Sequence, residues 1–341
     1  MGPEVSELEK QLADYIGVKH VLACSSGTDA LVVPLLAKNL SKKDAIFTSP
    51  FTFFATAEAI SIAGATPVFV DIDPITYNID PASLGKAIAS VKANGELTPR
   101  GVMPVDLFGI SADYDEINSI AQEHGLFVLE DAAQSFAADY KGRKACSLAD
   151  VGATSFYPAK PLGCYGDGGA VFTDNTDLYQ TMVSLRVHGQ SMCGNKYDNV
   201  HIGLNARMDT IQAAILLEKL KFYDEEIDLR NSVASTYDRL LNDSVKKPQV
   251  PEQQSSVWAQ YSIQLKDREK TCQKLKDEGI PTSVFYPIPI HLSTAYKYLG
   301  YKIGDFPISE QISNHIVSLP MHPYLQESEI QLICDIINED S

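Results

Sequence analysis

Lys160 lies in the run Thr154-Ser155-Phe156-Tyr157-Pro158-Ala159-Lys160-Pro161-Leu162-Gly163-Cys164-Tyr165-Gly166-Asp167-Gly168-Gly169-Ala170, among small, apolar and proline residues. A lysine held in such surroundings loses hydration of its ammonium, so its pKa falls. The neutral amine can then attack a carbonyl carbon, which is how lysines serve Schiff-base enzymes. The glycines that follow let the backbone approach a bound ligand and turn sharply into an apparent strand, Ala170–Thr173. On this stretch alone, a lysine with a buried stem before a Gly-rich hairpin turn reads the same way.

Asp131 ends the apolar run Leu126-Phe127-Val128-Leu129-Glu130. The carboxyl end of a buried strand is where open α/β sheets bind ligands. The competing reading is that Asp131 caps a helix beginning at Ala132. Gln134 follows and reads equally as a surface glutamine. Upstream, Cys24-Ser25-Ser26-Gly27-Thr28-Asp29-Ala30-Leu31 joins a strand end to a helix start. Free amides and the helix dipole at such a start suit a phosphate, and Ser26 or Thr28 could equally be a simple cap. Phe51, Phe53 and Phe54 cluster after another apolar run, and core packing explains such a cluster as well.

Together these pieces resemble the site of a fold-type-I pyridoxal-phosphate (PLP) enzyme. More narrowly, nearly the whole chain resembles the DegT/DnrJ/EryC1/StrS family of nucleotide-sugar aminotransferases, with the motifs in the family's order and spacing. The resemblance implies that Lys160 carries the cofactor and shuttles a proton, and that Asp131 faces the ring nitrogen. It implies Gln134 at the ring oxygen, Phe53 stacked on the ring, and Gly27, Thr28 and Ser155 around the phosphate. Asn205, in Gly203-Leu204-Asn205-Ala206-Arg207-Met208-Asp209-Thr210, resembles a signature whose Asn reaches the cofactor phosphate of a neighbouring subunit. The active unit implied is a homodimer with shared active sites. Arg207, Arg186, His188, Tyr286, His291 and His322 lie in segments resembling substrate-facing loops, although each singly reads as a structural residue too. Arg and His suit a diphosphate.

The implied reaction moves an amino group from an amino acid, L-glutamate, to a keto nucleotide-sugar. Lys160–Gly169 and Met321-His322-Pro323-Tyr324 most resemble the branch acting on UDP-2-acetamido-2-deoxy-3-oxo-glucuronate, which feeds lipopolysaccharide O-antigen synthesis. A 4-keto-sugar aminotransferase of the same family is the alternative. A PLP-dependent sugar dehydratase would carry histidine in place of Lys160, and a non-enzymatic regulator would not need so complete a set. The family usually carries a further helix before residue 4, which implies a truncated start and puts the dimer contact made there in question.

The elements must place these residues together. With 341 residues the chain is long enough for a large α/β domain and a smaller one. Residues 4–17 read as an amphipathic helix ended by Gly17. Short apolar runs at His20–Cys24, Ala45–Ser49, Pro67–Val70, Val102–Val105 and Leu126–Glu130 read as strands. Helical patterns at Thr28–Asn39, Phe54–Ala63, Pro81–Ala93 and Tyr114–His124 separate them, with Pro34 expected to kink or shorten the first. Such alternation predicts an α/β fold with a mostly parallel, doubly covered sheet. A helix is expected through about Val187, then an irregular stretch at His188–Asn205. A long bridging helix at 208–241 joins a large domain (1–225) to a small α+β domain (226–341). The small domain contains a strand at Val257–Leu265 and helices at Glu269–Glu278 and Glu327–Ile337.

The formal charge of −16 argues against nucleic acid, which calls for a basic face, but not against an anionic small ligand. The six cysteines, Cys24, Cys146, Cys164, Cys193, Cys272 and Cys334, lack metal-ligand spacing, so no metal site is expected. With no signal-peptide pattern and no apolar run near the roughly 18–20 residues that span a bilayer, no membrane partner and a reducing cytoplasm are expected.

Overall fold

The computed structural model describes residues 1–191, 195 and 197–339; Cys193 lies outside them. Helix α1 (Pro3–Ile16) turns Val5, Leu8, Leu12 and Ile16 inward and ends at Gly17, whose φ of 87° suits glycine. Then follow β1 (His20–Cys24), α2 (Gly27–Ala37), β2 (Asp44–Thr48), α3 (Phe54–Ile62), β3 (Thr66–Phe69) and α4 (Pro81–Asn94). Next are β4 (Thr98–Val102), α5 (Tyr114–His124), β5 (Phe127–Asp131) and a small hairpin, β6 (Asp139–Tyr140) with β7 (Arg143–Lys144). Strands β8 (Val151–Ser155) and β9 (Gly169–Thr173) precede α6 (Thr176–Arg186), α7 (Thr210–Leu220) and α8 (Tyr223–Leu240). The chain closes with β10 (Tyr261–Gln264), α9 (Arg268–Asp277), α10 (Pro307–His315), β11 (Ile316–Leu319) and α11 (Glu327–Glu339).

Seven strands form one sheet in the order β1-β9-β8-β5-β4-β2-β3. Neighbours are parallel except where β9 meets β1 and β8. Alternation sends successive side chains to opposite faces. Val21 and Ala23 join one core with α1, α4, α5 and α7. Leu22 and Cys24 join a second core with α2, α3 and α6. Both faces are therefore covered, as a mostly parallel sheet requires. A further core gathers α8, α9 and α11 over the antiparallel pair β10–β11.

Several elements depart from the sequence reading. Strand β4 lies upstream of Val102–Val105, where Gly101 leaves room for the Phe127 ring; a Cβ there would come within 2.6 Å of it. Pro34 does not break α2, which continues to Ala37. The helix expected to run unbroken over 208–241 is two helices, α7 and α8. Lys221 and Phe222 bond back three residues, to Glu218 and Lys219, and so tighten the end of α7. Among the described residues, no helix is long and apolar enough to cross a membrane, and no group of His, Cys, Asp or Glu could hold a metal ion.

Candidate active site

The parallel strands bring several carboxyl ends to one edge of the sheet. Cys24 of β1 and Ser155 of β8 both pair with Gly169, the first residue of the antiparallel β9. The loop after β1, the end of β8 and the lysine loop 156–168 therefore meet at the start of β9. Asp131 ends β5 beside Ala153 of β8.

Asp131 is buried. Its Oδ2 accepts the Thr56 hydroxyl at 2.8 Å and its Oδ1 accepts the Ala133 N–H at 3.2 Å. No helix starts at Ala132: residues 133–137 form turns, so Asp131 closes a turn and is not a helix cap. Burial raises its carboxyl pKa, while Thr56, Ala133 and the charge of Lys160 pull it down. Lys160 shows the reciprocal pattern. Burial of its amine lowers its pKa, and Asp131 partly offsets this. The residue as a whole is half-buried; it is the amine that protein atoms crowd.

Gly27 and Thr28 open α2. Ser26, not Thr28, is the cap: its Oγ accepts the Asp29 N–H at 3.0 Å. The amides of Gly27 and Thr28 have no acceptor within the helix, because first-turn N–H groups lack one. A Cβ on Gly27 would stand 2.5 Å from the Ser155 Cβ, so the glycine keeps open a cup that Ser155 lines from the other side. Phe53, just before α3, is 59% exposed, while Phe51 is buried and Phe54 packs on Tyr296 with ring centroids 5.5 Å apart. Tyr286, from the chain's C-terminal part, stands 6.3 Å from Phe53 between ring centroids. Its hydroxyl accepts from Gln134 Nε2 at 3.0 Å, and burial pushes its pKa up. Gln134 is buried, not on the surface, and its Oε1 accepts the Phe108 N–H at 2.8 Å.

The extended run before α7 lies along β1: Arg207 bridges Cys24 and the Ser25 N–H reaches the Ala206 carbonyl. Ala206 and Met208 face inward, leaving Asn205 and Arg207 exposed. His188 is exposed with a left-handed backbone, and His322 is exposed with its Nδ1 accepting the Tyr324 N–H at 3.3 Å. Two residues are not brought into the open site. Arg186 is buried, with its Nη1 donating to Glu9 at 2.5 Å and to the Ala23 carbonyl at 2.9 Å. That pairing ties α6 to α1 and β1 and leaves a diphosphate no face to approach. His291 is buried against Phe306 with its Nε2 3.1 Å from Glu310, and burial lowers its pKa. Sequence reasoning did not single out Thr56, whose contact with Asp131 spans 75 positions. Its place five residues into the aromatic-rich segment after β2 was the available signal.

The site thus holds a desolvated amine, a buried carboxylate whose charge acts on it, a helix start kept clear of side chains, and an exposed phenyl ring. These fit pyridoxal phosphate: an aldehyde partner, a basic ring nitrogen, a phosphate and a flat face. The DegT/DnrJ/EryC1/StrS aminotransferase family matches residues 1–338. UDP-2-acetamido-2-deoxy-3-oxo-D-glucuronate aminotransferase of Pseudomonas aeruginosa is 45% identical over 337 residues, covering 98% of this chain and 90% of that protein. The crystal structure of a DegT DnrJ EryC1 StrS aminotransferase from Brucella abortus superposes with a TM-score of 0.96 at 48% identity, covering 99% of this chain and 90% of that one. The crystal structure of ntda from Bacillus subtilis, with bound cofactor PMP, gives a TM-score of 0.88 at 30% identity, covering 99% and 78%.

Proposed function

The chain belongs to the DegT/DnrJ/EryC1/StrS family of PLP-dependent aminotransferases, and from that premise we propose that it moves the amino group of L-glutamate to UDP-2-acetamido-2-deoxy-3-oxo-glucuronate. The observation that carries the reading is the gathering of Asp131, the Lys160 loop and the open start of α2 at one edge of the sheet, with the Asp131 charge acting on the Lys160 amine. The likeness to the Pseudomonas aeruginosa enzyme supports the 3-oxo substrate over a 4-keto sugar. Lysine at position 160 stands against a dehydratase.

When bound, PLP supplies an electron sink for the charge left as a proton leaves the carbon beside the amine. Lys160 is the base that takes that proton and the acid that returns it; burial lowers its pKa and so favours the neutral amine that can take a proton. Asp131 holds a proton on the ring nitrogen, and Thr56 aims its carboxylate. The first amides of α2, with Thr28 and Ser155, bind the phosphate. Phe53 would cover one face of the ring, and Gln134, oriented by Phe108 and Tyr286, would hold its edge. Arg207, His188, Tyr286 and His322 face the substrate. Arg186 and His291 act by holding the frame.

We further assign the active unit to a homodimer in which Asn205 serves the partner's cofactor. Its exposure, with no side-chain hydrogen bond to the described residues of its own chain, supports this. The five described cysteines are free thiols, which supports a cytoplasmic setting. Incubating the protein with L-glutamate and a panel of 3-keto and 4-keto nucleotide-sugars, with products identified by mass and NMR, tests the substrate. Amination of 4-keto sugars alone overturns it. Co-expression of Lys160→Ala and Asn205→Ala subunits, each folded, dimeric and inactive alone, tests the sharing. Mixed dimers should recover about half the activity, since one of two independent sites is then intact. No recovery defeats the sharing and leaves the lysine chemistry in place.

A further inference from the structure

Lys160 sits in a loop, and a lysine that must meet a carbon and return a proton has to be held to a fraction of an ångström. The loop between β8 and β9 is stitched from within. The Phe156 N–H reaches the Gly168 carbonyl, the Cys164 N–H reaches the Phe156 carbonyl, and the Lys160 N–H reaches the Tyr157 carbonyl, each at 2.8 Å. The Cys164 thiol donates to the Phe156 and Gly166 carbonyls at 2.9 and 3.1 Å. These bonds fold the loop on itself but do not fix it to the rest of the protein.

Two side chains of α7 do. Gln212 Oε1 accepts the Tyr165 N–H at 2.9 Å, and Lys219 Nζ donates to the Gly163 carbonyl at 2.6 Å. Their positions differ by seven, two helical turns, so both project from one face, about 10 Å apart. The loop is shaped to receive them. A Cβ on Gly166 would stand 2.8 Å from Gln212 Nε2, and one on Gly163 would stand 2.7 Å from the Pro158 carbonyl oxygen. Glycine at 166 therefore permits the first grip, and glycine at 163 permits the tight fold that offers its carbonyl to the second. Helix α7 is anchored in turn: the Gly2 N–H donates to Thr210 Oγ1 at 2.9 Å, and Ala213 and Leu216 are buried in the core with α1.

We propose that Gln212 and Lys219 are positioning residues that clamp the Lys160 loop to α7 and so set the lysine for proton transfer. The inference rests on the assignment of Lys160 as the cofactor lysine. Because α7 follows directly on the run bearing Asn205 and Arg207, the clamp also ties the lysine to the segment that faces outward from the site.

The test uses the PLP-loaded protein with Lys219→Met and Gln212→Leu, which remove the grips, and Lys219→Arg and Gln212→Glu, which keep a donor and an acceptor. Gly166→Ala attacks the same contact from the loop side. Hydrogen exchange in peptides covering 157–168 should quicken about three- to tenfold in the Met, Leu and Ala variants, the local opening that a single hydrogen bond restrains. The kcat of the glutamate half-reaction should fall by about tenfold with KM for glutamate nearly unchanged. The Arg and Glu variants should restore both. Unchanged exchange at 157–168 in all three disruptive variants overturns the clamp. Faster exchange spread equally over α7, without restoration by Lys219→Arg, also overturns it and makes the residues mere helix stabilisers. Exchange needs no substrate and is repeated without cofactor, so failure of the clamp is separable from failure of the lysine assignment.

Discussion

Glu130 and Asp131 are neighbours on β5, and both are buried carboxyls. The strand points them to opposite faces, and their surroundings differ in what is left unsatisfied. Glu130 accepts the Cys146 and Leu148 N–H groups at 2.6 and 3.0 Å. It also bonds Asp106, which in turn accepts the Ala112 N–H and the Tyr114 and Ser135 hydroxyls at 2.9–3.0 Å. That pair is walled in by donors, and among the described residues no salt bridge ties it to a cation. Asp131 has two donors and the Lys160 charge as its partner. A carboxyl saturated by its own fold holds loops together; one left with lone pairs beside an amine is open to a ligand. Burial pushes the Glu130 pKa well up, with the Asp106 charge second, so the protonated form of Glu130 is favoured beside Asp106.

The comparison breaks most severely at the lysine. Lys160→Ala should cost about a thousandfold or more in turnover, the scale of losing an acid–base group. Borohydride treatment of the PLP-loaded wild type, followed by peptide mapping, should place the cofactor on Lys160; a label elsewhere sinks the assignment. Asp131→Asn comes next. It should keep the fold and some PLP yet lose about a hundredfold in kcat, because an amide cannot hold the ring's proton electrostatically. Glu130→Gln, one position away, should leave kcat within about threefold. Equal losses from the two would erase the distinction between the faces.

How much of this was legible from sequence follows the same line. His20–Cys24 and Tyr114–His124 were read at their observed bounds, because apolar runs and caps are local signals. Asp131 and Lys160 stood out by residue type in an unusual setting. Val151–Ser155 passed unread, since Gly152, Ala153, Thr154 and Ser155 carry little strand signal. Strand β11 and helix α10 were missed too. Arg186 and His291 were expected at the substrate from type and motif, but type does not reveal a partner. Glu9 lies 177 positions from Arg186, and Glu310 lies 19 from His291. The surface reading of Gln134 fails for a related reason: a turn carries it inward, so its reach to Tyr286 is a product of the fold.

The pair behind Asp131 has a stability signature of intermediate size. Glu130→Gln leaves an NH2 where an oxygen accepted a backbone N–H, so it should destabilise by about 1–3 kcal/mol in denaturant melts. The pH dependence has a definite sign. Both folded-state pKa values lie above those of unfolded carboxyls, so the native state binds more protons there. Stability from the pair is full below the ordinary carboxylate range and is lost as pH rises through the raised values. Wild-type melting temperature should therefore fall over that interval more steeply than that of Glu130→Gln. Equal slopes would mean that the pair does not hold its proton.

The smallest effect sharpens the comparison on the other face. In the cofactor-free protein, Lys160 is nucleophilic only when neutral, and burial lowers the pH at which this occurs. The Asp131 charge opposes burial by favouring the ammonium. Removing that charge in Asp131→Asn should let burial act alone, so the midpoint for Lys160 modification by an amine reagent moves to lower pH. Glu130→Gln should leave this midpoint in place, because Glu130 faces Asp106 on the other side of β5 and burial favours its neutral form. Following Lys160 labelling against pH by peptide mass spectrometry reads the shift directly. A midpoint that rises in Asp131→Asn, or one that moves as far in Glu130→Gln, would mean that the two carboxyls do not divide their work by face.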